Sequence, residues 1–166
     1  LSKKIQQSDN TFKISVSHTT RKPRPNEVDG VDYHFVSKNK FEELIKKNEF
    51  YEYSKIFDNY YGTSKSSVNQ ITKNNLNVLF DIDWHGSQQL REYKELNLLT
   101  IFILPPSKEE LKKRLIARNQ DDLGSIEKRL LAYSNDIKHA NEYDHVLVND
   151  NVEKCFNQIK KIIRDN

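Results

Sequence analysis

Asn77-Val78-Leu79-Phe80-Asp81-Ile82-Asp83 is the stretch on which the fold turns. From Asn77 to Ile82 it is a nearly continuous apolar run, as expected of a strand buried on both faces, and it ends in two carboxylates. Similar buried strands are expected at Leu98 to Leu104 and at His145 to Val148. Helical patterns lie between and after them. A short helix is expected through Gln88 to Tyr93. Pro105-Pro106 stops the second strand, and Ser107-x-x-Glu110 reads as a capping box for the next helix. Ile126, Leu130, Tyr133, Ile137 and Ala140 recur at helical spacing and predict a long amphipathic helix. Asp150 and Glu153 can open a last helix with Val152, Phe156, Ile159 and Ile163 facing inward. Strands alternating with helices over 77–166 predict an open, mostly parallel α/β sheet with flanking helices.

Upstream the texture changes. Phe12 to Ser17 alternates apolar and polar residues, a strand pattern. His18 to Val31 reads as a polar loop and Tyr33 to Val36 as a short strand. Ser37 can cap a helix carrying Phe41, Leu44 and Ile45 on one face. Glu49 to Phe57 alternates again and places Phe50, Glu52, Ser54 and Ile56 together. Asp58-Asn59 reads as a turn, and Tyr60-Tyr61-Gly62 leads to a helix that Ser64 can cap. Short alternating strands rich in Tyr predict a small α+β lobe over 18–76, inserted into a core formed by 1–17 and 77–166.

Composition removes several function classes. The chain has 166 residues, and 27 Lys+Arg against 24 Asp+Glu leave a net charge of +3, a weak hint of an anionic partner. No apolar run approaches the roughly 20 residues of a membrane helix. Cys155 is the single cysteine, so a disulfide framework and a Cys-rich zinc site are both excluded. The five His show no metal spacing. Nucleic-acid binding would rest only on the small net charge and the Arg21-Lys22-Arg24 cluster, against many acidic residues. The chain begins at Leu1 and contains no Met, so an upstream segment is expected; no signal peptide is visible, and a cytoplasmic location is expected.

Four groups of residues could carry chemistry. Ser17 to Glu27 gathers hydroxyls with Arg21 and Arg24, two of only seven Arg, and guanidinium forks suit phosphate oxygens; a solvated loop is the plainer alternative. Tyr33 and Tyr61 could add hydroxyl donors. Glu52 points to the apolar side of its strand, where a carboxylate needs a partner, either a cation or a ligand with donor groups. Asp81 and Asp83 stand at the carboxyl end of a buried strand, where open α/β sheets bind ligands and where a carboxylate can hold Mg²⁺; a helix cap near Gly86 is the alternative. Arg114 and Arg118 are one helical turn apart. At about 100° per residue Arg118 falls inside the apolar stripe, near Leu111, where it either snorkels or reaches a charged cleft. With Arg129 they bracket the loop Asn119 to Gly124, which suggests a lid that closes over phosphates.

Together these segments resemble the guanylate kinases. The resemblance rests on Ser17-x-Thr19-Thr20-Arg21-x-Pro23-Arg24-x-x-Glu27 with Asp32-Tyr33 beyond it. It extends through Asn59-Tyr60-Tyr61-Gly62-Thr63, Asp81-Ile82-Asp83, Arg114-x-x-x-Arg118, Arg129 and Val148-Asn149-Asp150. It implies a P-loop NTPase-like core, an inserted GMP-binding lobe, a helical lid over about 114–129, and transfer of the γ-phosphoryl group of ATP to GMP with Mg²⁺. By position it implies that Ser17, Arg21, Arg24, Glu27, Tyr33 and Tyr61 hold GMP, the two Arg and two Tyr at its phosphate. Glu52, Thr63 and Asp83 fall around the guanine, and Asp81 near the transfer site. Arg114, Arg118 and Arg129 fall at the ATP phosphates, and Asn149 and Asp150 beside the adenine. Arg24, Arg118 and Arg129 are thereby the expected catalytic arginines. The alternative is an inactive guanylate-kinase-like module that binds phosphorylated peptides. His18, His85 and Asn119 depart from the family pattern. The family's Gly-x-x-x-x-Gly-Lys-[Ser/Thr] loop does not occur in these 166 residues, which open after its place, so this segment alone is expected to be inactive.

Overall fold

The structure, a computed structural model, describes residues 1–118 and 122–166. Two compact units form: Ser2–Asn97, and Leu98–Asn166 together with Leu1. The expected α/β class is observed, with parallel strand pairs in both units and helices between strands. No helix among the described residues is long and apolar enough to cross a membrane.

In the first unit α1 (Ser2–Ser8) leads into β1 (Phe12–Ile14), which pairs in parallel with β6 (Asn77–Leu79). Between them lies a four-stranded sheet of order β3-β2-β5-β4, made of β2 (His18–Thr19), β3 (His34–Phe35), β4 (Phe50–Ile56) and β5 (Asn59–Ser64). Two helices follow their expected caps. The Ser37 hydroxyl accepts the Lys40 N–H to start α2 (Lys38–Lys46), and Ser64 accepts the Ser67 N–H to start α3 (Lys65–Thr72). Phe41 of α2 is fully buried, its ring stacked 4.6 Å from Phe50 and 5.3 Å from Tyr60. Burying such a ring stabilises the lobe by roughly 2–3 kcal/mol. Alternation along β4 is as expected, with Phe50, Glu52 and Ser54 buried and Tyr53 and Lys55 exposed. Gly62 is closely enclosed, since a Cβ there would meet the Phe41 ring and the Tyr53 Cβ, each at 3.0 Å.

Several boundaries differ from expectation. His18–Thr19 is a strand inside the expected loop, because β2 finds hydrogen-bonding partners on both sides, β3 and β5, far along the chain. The hairpin turns at Phe57-Asp58, with Phe57 in the left-handed region at φ 54°. β6 stops at Leu79, and Asn77 is exposed rather than buried. α4 spans Trp84–Leu90 instead of starting near Gln88, since Asp83 caps it: its carboxylate accepts the Gly86 N–H at 2.9 Å.

In the second unit β7 (Ile101–Leu104) and β8 (His145–Val148) pair in parallel. α5 (Lys108–Arg118) is capped by the Ser107 hydroxyl, and α6 (Leu123–Asp136) by Asp122. The helix expected through Ala140 changes to a 3₁₀ turn at Ile137–Glu142, the tighter winding common at a helix end. α7 (Val152–Asp165) is capped by Asn151 rather than opened by Asp150. It buries Cys155, Phe156 and Ile159; Val152 lies on the same face by spacing but is exposed as the first residue of the helix. Ile103, Val146 and Val148 are also exposed, so these strands are not buried on both faces within their unit. Of the expected loop Asn119 to Gly124, residues 119–121 lie outside the described residues.

Candidate active site

Residues of the first unit gather at two adjoining places, one fit for an anion and one for a base. At the first, Arg21 follows β2, where its N–H bonds the Thr19 hydroxyl at 3.1 Å. Its guanidinium donates to Glu27 Oε1 at 2.8 Å and to the Lys22 carbonyl at 2.8 Å, and lies over the rings of Tyr33 and Phe35. Glu27 Oε2 also accepts the Arg24 N–H at 2.7 Å. One carboxylate therefore fixes the Arg21 side chain and the Arg24 backbone together. The electrostatics agree. Burial opposes the Arg21 charge, yet Glu27 and Tyr61 outweigh it and raise its pKa, while the hydrogen bond from Arg21 holds Glu27 below the usual carboxylate range. Tyr33 and Tyr61 meet edge to face, centroids 6.0 Å apart, and burial pushes the Tyr33 phenol up, with a contribution from Asp81. Lys3 bonds Asp32 at 2.8 Å and ties this loop to α1.

The second place is built on β4, β5 and α4. Glu52 is 3% exposed. Of the two partners expected for it, no cation approaches among the described residues; it is held by the hydroxyl and N–H of Thr63. Burial, with the Asp83 charge added, pushes its pKa up to about 7 against those bonds. The Ser17 hydroxyl lies 3.2 Å from that of the fully buried Thr63. Asp83 is the helix cap that the sequence offered as the alternative, and its charge also acts on Glu52. Its other oxygen lies 3.2 Å from His85 Nδ1. Asp81 is exposed and accepts the Ser2 hydroxyl at 3.2 Å.

In the second unit Arg114 spends its fork on the protein itself. Nε bonds Glu110 at 2.8 Å, Nη1 bonds the Asn149 carbonyl at 2.8 Å, and Nη2 lies 3.5 Å from that of Asp150. The Asn149 N–H donates to the Leu104 carbonyl at 2.7 Å, which anchors the loop to the end of β7, and its buried Oδ1 has no partner among the described residues. Asp150 is held below the usual range by Lys154. Arg118 is exposed; it is the last residue of α5, one turn past buried Leu115. Arg129 is half-buried on α6.

Sequence reasoning missed three features. Glu27 ties two arginines. Gln89 bonds the backbone of β4. Gly86 lies against Glu52, and the expected helix start at Gln88 left this glycine outside the helix.

A family model described as guanylate kinase matches residues 1–166. The guanylate kinase of Rickettsia bellii is 45% identical over 163 residues, covering 98% of this chain and 85% of that protein. That of Aliivibrio fischeri is 48% identical over 153 residues, 92% of this chain and 73% of the relative. The crystal structure of guanylate kinase from Anaplasma phagocytophilum superposes with a TM-score of 0.79 at 32% identity, covering 94% of this chain and 76% of that one.

Proposed function

The chain belongs to the guanylate kinase family, and on that premise we propose how its residues divide the work of moving the γ-phosphoryl group of ATP to GMP. The reaction gives ADP and GDP. Its barrier is lowered by positioning and charge neutralisation more than by covalent chemistry.

The observation that carries the assignment is the buried Glu52 carboxylate, held by Thr63 and close to Asp83. Guanine offers two adjacent donors, its ring N1–H and its exocyclic amine. Ionised Glu52 can accept both, with Asp83 and the Ser17–Thr63 hydroxyl pair at the same place. Adenine presents a lone pair at N1 and would leave the carboxylate desolvated and unpaired. Arg21 and Arg24, set by Glu27, take the GMP phosphate with Tyr33 and Tyr61. Arg114, Arg118 and Arg129 neutralise the ATP phosphates, Arg114 also fixing the loop of Asn149 and Asp150 beside the adenine. Arg24, Arg118 and Arg129 are the groups assigned to the charge that develops during transfer.

We assign GMP binding to the lobe 18–76, which contains the whole four-stranded sheet and α2. The core is 1–17 and 77–166, with the lid over about 114–129. Mg²⁺ is bound through one or two carboxylates beside nucleotide phosphates rather than by an all-protein cage. Exposed Asp81 fits that chemistry, and the described residues form no cluster of three metal-ligating side chains. Bound with ATP, the ion supplies charge neutralisation at the phosphate oxygens. ATP and GMP are cytoplasmic metabolites, which supports a cytoplasmic location.

The test is base choice. In the active enzyme, Glu52→Gln is expected to lower kcat/KM for GMP at least about 10-fold and to narrow the preference over AMP, since a buried hydrogen-bonding site rejects a mismatched partner strongly. A GMP:AMP ratio that does not move would make Glu52 a structural carboxylate.

A further inference from the structure

Gly86 and Gln89 stand three residues apart on α4, so they share one face of the helix, and both meet β4. Gly86 is buried. A Cβ there would run into the Glu52 carboxylate, meeting Oε2 first and Cδ at 3.1 Å. Its N–H is already given to Asp83 at 2.9 Å. The one residue thus touches both carboxylates, Asp83 through its amide and Glu52 through its missing side chain. Gln89 acts one residue along the strand. Its Nε2 donates to the Tyr53 carbonyl at 2.7 Å, and its Oε1 accepts the Tyr53 N–H at 3.1 Å. β4 is the outermost strand of its sheet, so this amide pairs backbone groups that no neighbouring strand reaches. Glycine is a poor helix residue, and here its place follows from the space the carboxylate fills.

We propose that Gly86 and Gln89 are positioning residues for guanine recognition: Gly86 leaves the room that the Glu52 carboxylate occupies beside Asp83, and Gln89 pins the backbone of the adjacent residue so that the strand keeps its register on α4. This rests on the reading of Glu52 as the guanine acceptor. Alanine at 86 drives the carboxylate out of line with the two donors of the base. Loss of the Gln89 amide lets the strand shift with the same consequence in weaker form.

The experiment measures calorimetric affinities of this chain for GMP and for inosine 5′-monophosphate, the same purine monophosphate without the 2-amino group. Wild type, Gly86→Ala, Gln89→Ala and Glu52→Gln are compared, with melting temperatures alongside. Gly86→Ala is expected to weaken GMP about 10-fold or more and inosine monophosphate less, because only GMP loses a second charged hydrogen bond. Gln89→Ala is expected to move the preference in the same direction, about 3-fold on the same reasoning. A lowered melting temperature with an unchanged preference in both variants would reduce the two residues to packing and overturn the proposal. Should Gly86→Ala fail to fold, Gln89→Ala decides alone. An unchanged preference in Glu52→Gln overturns the reading of Glu52 and this inference with it. A preference that narrows in Glu52→Gln but in neither α4 variant removes the positioning role only.

Discussion

Replacing Glu52 by Gln should make the protein more stable at alkaline pH while it weakens GMP binding. The magnitude follows from the folded-state pKa, pushed up from the ordinary 4.5 to about 7 mainly by burial. Between those values the folded protein holds a proton that the unfolded chain has released. Stability therefore falls as pH rises from about 4.5 to about 7, and stays at its reduced level above. At about 1.4 kcal/mol per pH unit the loss is about 3 kcal/mol. Gln keeps the shape and never ionises, so Glu52→Gln should recover that amount at pH 8 and match wild type near pH 4.5. For a chain of this size that corresponds to a melting temperature roughly 6–12 °C higher at pH 8. Urea unfolding at a series of pH values reads the difference directly, and Trp84, the single Trp, stands on α4 beside the site and reports by fluorescence. Unfolding curves of wild type and Glu52→Gln that keep a constant separation from pH 4.5 to 8 would refute the reasoning. A stabilised variant that binds GMP less well would identify the buried acid as a functional residue held at a cost in stability.

Two further outcomes follow from the same geometry. GMP affinity of the wild type should fall below about pH 7, approaching tenfold per pH unit, because guanine's donors need the ionised carboxylate and protonation competes with them; titration calorimetry from pH 5.5 to 8.5 checks this, and a flat profile would contradict it. In the active enzyme, Arg118→Ala should lower kcat by about 10²-fold with a smaller change in KM for GMP, as removal of one preorganised donor does; steady-state kinetics decide, and an unchanged kcat would leave Arg118 a surface residue.

Local pattern was enough for much of this protein. Alternation along β4 has a period of two, so Phe50, Glu52 and Ser54 had to share a face, and hydrophobic burial chose which. Ser37, Ser64 and Ser107 cap helices because a hydroxyl just before a helix meets an N–H two or three residues on, a contact within one turn. The arginine and tyrosine cluster after β1 was legible as residue types suited to phosphate. Tertiary structure decided what those residues touch. Glu27 as a tie between Arg21 and Arg24 depends on how the loop folds back, with Asn26 in the left-handed region at φ 71°. The fork of Arg114 closes on carbonyls 35 and 36 residues away, and Gln89 on a strand 36 residues back. The Gly86–Glu52 contact spans a similar separation. Periodicity describes the faces of single elements. Which faces meet is settled only when burial and hydrogen bonding have offset the entropy of closing the chain between them, and so α4, β4 and the base site exist together only in the folded unit.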